Sequence, residues 1–136
     1  TASPIAPGAA EASASALAAL AATEAPGAHA SGGPFGARFD EGEVLEQPIN
    51  LEPGACYTVV GVATGITQLD LQITAQPAPM FPPAVVAQSA TQGPDAVLGG
   101  KAAGCWKMPA PVGGPGKVVL RATHGSGTAA AQVYVQ

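Results

Sequence analysis

The stretch "GACYTVVGVATGITQLDLQI", residues 54–73, decides the fold class. It opens on a cysteine, runs through β-branched residues, breaks at Thr64-Gly65 and then alternates. Leu69, Leu71 and Ile73 fall on one side of an extended chain, and Gln68, Asp70, Gln72 and Thr74 on the other. This pattern predicts two adjacent strands, 55–63 and 67–75, with "TG" closing the first. Asp70 then lies on the polar face of a half-buried strand, a placement that needs no catalytic explanation.

The same reading extends in both directions. "EVLEQPINL" (43–51) is a strand whose Pro48 suits a sheet edge, because proline donates no ladder hydrogen bond. "QPAPMFPP" (76–83) is an extended, proline-stiffened crossing. "AVVAQS" (84–89) is a short strand, 93–104 a loop with at most one short strand, and "GCWKM" (104–108) another strand. "KVVLRATH" (117–124) and "TAAAQVYVQ" (128–136) form the clearest hairpin, joined by "GSG". Seven or eight short strands with Gly/Pro punctuation predict an all-β, antiparallel, jelly-roll-like β-sandwich.

The chain of 136 residues suffices for one domain, and alanine inflates its 47% hydrophobic content. Alanine buries little area, so the apolar core is thin and some further tie is expected. Only 10% of residues are charged, with a formal net charge of −4. Seven of the nine acids lie in residues 1–52 and four of the five bases after residue 100, so no basic stripe exists for nucleic acid. No run of about 18 strongly apolar residues predicts a transmembrane helix. "ASASALAALAA" (12–22) lacks a basic flank and reads as mature sequence from which any export signal has been removed. The Ala, Gly and Pro richness is also what a GC-rich genome produces.

Composition shifts near residue 42. Residues 1–42 read as an Ala/Gly/Pro-rich arm, 43–136 as the sandwich, and "GGPFGARFDEGE" (32–43) as the linker between them. Within the arm, "AAEASASALAALAATEA" reads as one helix, since alanine is the best helix former. Alone in water such a helix is marginal, so it is either a tether or docked. Ile5, Leu17, Leu20, Phe35 and Phe39 are its candidate anchors. They pack on the chain's own sandwich or on a neighbouring copy's. The neighbour version predicts a homo-oligomer or filament, and a soluble, folded sandwich after deletion of 1–42.

Cys56 and Cys105 are the only cysteines. Neither a CxxC pair nor histidine partners for zinc accompany them. They read as one disulfide closing a loop of about 50 residues, which contributes roughly 4 kcal/mol on a chain-entropy argument. A disulfide implies an oxidising compartment: periplasm, cell surface or medium. Two buried free thiols in a cytosolic protein are the lesser alternative.

Catalytic sets are sparse, and no cofactor or metal is expected. His124 stands near Ser126 in "THGSG", but no strand–elbow–helix context surrounds them. The acids of "DEGEVLE" (40–46) suit a calcium ion or, more simply, a solvated charge run. "GGPGK" (113–117) lacks P-loop spacing. Tyr57, Trp106 and Tyr134 either form an aromatic platform for polysaccharide or fill the small core, with Lys101 and Lys107 flanking Trp106.

"LEPGACYTVVGVATGITQLDLQI", "VVAQS" and "GCWKMPAPVGGPGKVVLRATHGSGTAAAQVYV" together resemble the pre-peptidase C-terminal domain family of bacterial exported proteins. Leu51, Gly54, Tyr57, Thr58, Val59, Asp70 and Leu71 match its pattern. The closing segment from Pro111 matches loosely, with Lys117 and Val118 where an aromatic is usual. The chain is also similar to predicted envelope proteins of delta-type proteobacteria. The resemblance covers roughly 43–136 and implies a non-catalytic targeting, adhesive or binding module. The expected function is an exported structural protein of the envelope that associates through its arm. A polysaccharide- or surface-binding module and an accessory domain of a larger secreted enzyme are the alternatives.

Overall fold

The computed structural model describes residues 3–4, 14–52, 54–75, 84–89, 92–100, 104–107 and 114–136. The elements are β1 (Ser3–Pro4), α1 (Ala14–Glu24), β2 (His29–Phe39), β3 (Val44–Leu51), β4 (Cys56–Ala75), β5 (Ala84–Gln88), β6 (Ala96–Leu98), β7 (Trp106–Lys107) and β8 (Gly114–Val135). All pairings are antiparallel. Anchors Leu17, Leu20, Phe35 and Phe39 fall in these elements; Ile5 and Lys101 lie outside the described residues.

Two long strands organise everything. β4 and β8 pair along their whole lengths, from Tyr57 opposite Val135 to Ala75 opposite Gly116. The ladder slips register between Thr64 and Leu69. There Gly65 (φ +85°) and Gly125 (φ +89°) hold left-handed backbone conformations that side chains disfavour. The ribbon folds back on itself at this point. A methyl at Gly61 would stand 3.1 Å from Leu69 Cδ2 and 3.8 Å from Leu71 Cδ1, so the two halves of β4 face each other. "TG" and "GSG" therefore do not close strands or make a hairpin. Residues 117–124 and 128–135 pair not with each other but with opposite halves of β4.

The bend makes two layers from one sheet. β2, the C-terminal half of β8, the N-terminal half of β4, and β6 and β7 form the first layer. β3, the N-terminal half of β8, the C-terminal half of β4, and β5 form the second. Between them lie Phe39, Leu51, Tyr57, Val59, Leu69, Leu71, Ile73, Leu98, Val118 and Leu120, all buried. Pro48 sits on β3, whose pairing among the described residues is with β8 alone, as the edge reading requires.

Residues 32–43 are not a linker, and the composition boundary near 42 is not a boundary in the fold. β2 pairs with β8 from His29 opposite Val135 to Phe39 opposite Gly127. Phe39 is buried in the core and Phe35 packs half-buried against it. β2 is glycine-rich because the backbones approach closely: a methyl at Gly36 would strike the Ala129 carbonyl oxygen. After β2 the chain turns tightly. Asp40 N–H donates to Glu43 Oε1 (2.8 Å), which holds that carboxyl below its ordinary pKa. Gly42 N–H donates to Ala122 O (2.7 Å).

The helix docks in cis. Leu17 and Ala21 of α1 pack on Val60 and Ala130, with Leu20, Val62, Val97 and Tyr134 around them. They cover the outer face of the first layer, which is why 56–61 is buried on both faces. Of the two packings open to Leu17, Leu20 and Phe39, on the chain's own sandwich or on a neighbouring copy's, these contacts are the first. Leu17→Ala is expected to cost about 3 kcal/mol, the usual penalty for truncating a buried leucine, read from urea unfolding.

Cys56 and Cys105 form the expected disulfide, with a Cα–Cα distance of 5.3 Å. It ties the start of β4 to the segment entering β7. Cys56→Ser is expected to lower stability by about 2–5 kcal/mol. An unchanged denaturation midpoint would show that the bridge closes a loop already held by the sheet.

Candidate functional site

The two layers differ on their outer faces. α1 covers the first, whereas no described helix covers the second. Cross-strand pairs share a face, so the register assembles the second layer's outer surface directly. Val44 lies opposite Arg121, which lies opposite Asp70; Gln72 lies opposite both Val119 and Gln88.

A cleft of about 360 Å³ opens on this surface, lined by Gly42, Asp70, Leu71, Gln72, Gln88, Ser89, Arg121 and Thr123. Asp70 is half-buried there rather than merely solvated. It accepts hydrogen bonds from Thr123 Oγ1 and from Gln68 Nε2 (2.9 Å). Gln68 is itself fixed by the Gly93 N–H, which donates to Oε1 at 2.9 Å. Ser89 clamps the neighbouring backbone: its N–H donates to Leu71 O (2.8 Å) and its Oγ accepts from Leu71 N–H (2.9 Å). Arg121, Gln72 and Gln88 behave differently. Among the described residues their side-chain groups have no partner, and Arg121 makes no ion pair with Asp70 although the two are directly opposed.

The aromatic platform does not form. Tyr57 is 4% exposed, and its hydroxyl accepts from Glu52 N–H (2.8 Å) and donates to Asn50 O (3.3 Å). Tyr57 and Trp106 lie 6.2 Å apart, centroid to centroid, on the core side. Tyr134 projects from the opposite face, beside α1, where burial pushes its phenol pKa up. Two aromatics facing inward and one facing outward cannot offer a common stacking surface.

The acids of 40–46 do not converge either. Glu41 Oε1 accepts from Gly125 N–H (3.0 Å) and lies 4.0 Å from His124 Nδ1; Glu46 pairs with Lys117 at 3.4 Å. Among the described residues no three His, Cys, Asp or Glu side chains gather as a metal site. His124 stands exposed at the bend and does not line the cleft. A second opening of about 300 Å³ lies between β2 and β3 at the mouth of the sandwich, beside Ser31, Gly32, Gln47, Asn50 and Tyr57. No described helix is long and apolar enough to cross a membrane.

Among the cleft residues the sequence singled out Asp70, Leu71 and Gln72, for their strand faces and, for the first two, the family resemblance, and not as a ligand site. Positions 70, 72, 88, 121 and 123 have no motif spacing. Only the β8–β4–β5 pairing brings them together.

No family model matches the chain, and no curated protein matches it. Among solved structures, the crystal structure of Aeromonas hydrophila PliG, a periplasmic lysozyme inhibitor of g-type lysozyme, is similar at 15% identity. The alignment covers 82% of this chain and 90% of that chain, with a TM-score of 0.45.

Proposed function

We propose that this protein is an exported, non-catalytic binding domain that takes its ligand on the open outer face of its second layer. One observation carries the reading: Arg121, Gln72 and Gln88 reach a cleft without partners while Asp70 is held in place beside them. Pockets with a few convergent polar groups are the usual form of a recognition site. Both cleft hydroxyls are spent on holding the site: Ser89 Oγ accepts from the Leu71 amide, and Thr123 Oγ1 donates to Asp70. The disulfide supports export, because such bridges persist in oxidising compartments. A binding module is also what the resemblance to pre-peptidase C-terminal domains implies. Assembly through the arm has less support, because its leucines and Phe39 are covered in cis.

An amide-resolved NMR screen of small polar fragments tests the proposal. Hits should cluster on the amides of 70–72, 88–89 and 121–123. Hits clustering at the β2–β3 mouth, or scattering over the surface, would contradict it.

A further inference from the structure

We infer that the cleft recognises vicinal hydroxyl groups of an uncharged saccharide. The inference rests on the binding role proposed above and specifies its ligand. Three observations lead to it.

The first is the mixture of donors and acceptors. Asp70 is acceptor-only when ionised, the Arg121 guanidinium is donor-only, and the Gln72 and Gln88 carboxamides are both. A ligand satisfying all of them must present donors and acceptors side by side. Adjacent hydroxyls do so: each O–H donates to the carboxylate or an amide oxygen while its oxygen accepts from guanidinium or amide N–H.

The second is charge. The lining carries one carboxylate and one guanidinium, unpaired with each other. An anionic ligand meets Asp70, and a cationic one meets Arg121. A neutral polar ligand meets neither penalty.

The third is dimension and preorganisation. Arg121, Asp70 with Gln72, and Gln88 stand on three adjacent strands, so the row spans about 10 Å at the usual strand spacing. With a volume of about 360 Å³, the cleft accommodates one or two sugar rings. Gln68 and Thr123 hold the Asp70 carboxylate before any ligand arrives, which lowers the entropic cost of binding. Without an aromatic wall, affinity rests on hydrogen bonds and should be weak.

β5 presents the chief competing surface. Val85 (52% exposed) and Val86 (38% exposed) stand on an uncharged strand whose described pairing is with β4 alone. An added peptide strand would use that edge rather than the cleft side chains.

The test is an NMR titration of the full chain at millimolar concentrations of neutral hexaoses (cellohexaose, laminarihexaose, xylohexaose and chitohexaose). A blocked, uncharged valine- and threonine-rich hexapeptide is titrated in parallel. At least one hexaose should shift the amides of 70–72, 88–89 and 121–123. Arg121→Gln should weaken that binding about tenfold without changing the melting temperature, as expected for one charge-assisted hydrogen bond at an unpartnered side chain. If the peptide shifts the cleft amides and no hexaose does, the saccharide assignment is wrong and the binding role stands. If neither ligand moves them, or hexaoses bind elsewhere, both fall.

Discussion

Deletion of residues 1–42 is expected to leave a chain that does not fold. The deletion removes β2 from the edge of β8 and takes Ala37 and Phe39 out of the core. It also removes α1 and uncovers Val60 and Ala130. Truncating one buried phenylalanine costs about 3–5 kcal/mol, and the deletion adds the loss of a leucine and of a row of ladder hydrogen bonds. Domains have only about 5–15 kcal/mol of stability to lose. Residues 43–136 alone should show no cooperative melting transition and a collapsed amide spectrum. A dispersed spectrum with a sharp transition would mean that β2 is an appendage after all.

The bend should be nearly as sensitive. Gly65→Ala together with Gly125→Ala is expected to destabilise by about 4 kcal/mol. Each position has a positive φ, where a non-glycine residue costs about 1–3 kcal/mol. Space is short as well. A Cβ at Gly65 would stand 2.5 Å from Ser126 O, and one at Gly125 would stand 2.8 Å from Gly65 O and 2.9 Å from Thr67 N. These neighbours are backbone and cannot rotate away. Gly27→Ala is the control: its φ is +83°, but nothing lies within 4 Å of the added methyl. It should cost about 1 kcal/mol, from strain alone. Equal effects at the three glycines, measured by urea denaturation, would remove the bend from its structural role.

How much of this was legible depended on whether the signal was local. Residues 67–75 alternate because one side faces the core, and period two survives in any antiparallel setting. Cys56 and Cys105 read as a bridge by elimination of other partners. β2 was hidden because HASGGPFGARF has three glycines and one proline, a poor strand by propensity. It is a strand because Ala129, Ala130 and Ala131 of β8 present small side chains that a glycine-rich partner fits. The bend was hidden for a different reason. Gly65 and Gly125 have the chemistry of turns, and glycine with positive φ serves a bulge as readily as a hairpin. A clue did exist: apolar runs of similar length flank each glycine, as in one ribbon folded at its middle. The cleft gave no such clue, since Gln88 and Arg121 meet Gln72 and Asp70 only across pairings distant in sequence.

The central structural claim is that the segment before residue 43 and the sandwich after it are one folded body. Native-state hydrogen exchange tests it most directly. The protected amides of β2 should open only with those of β8 around Leu120 and Ala131, with the same free energy and the same denaturant dependence. Exchange of β2 through a separate, low-energy opening, insensitive to denaturant while β8 stays protected, would contradict it.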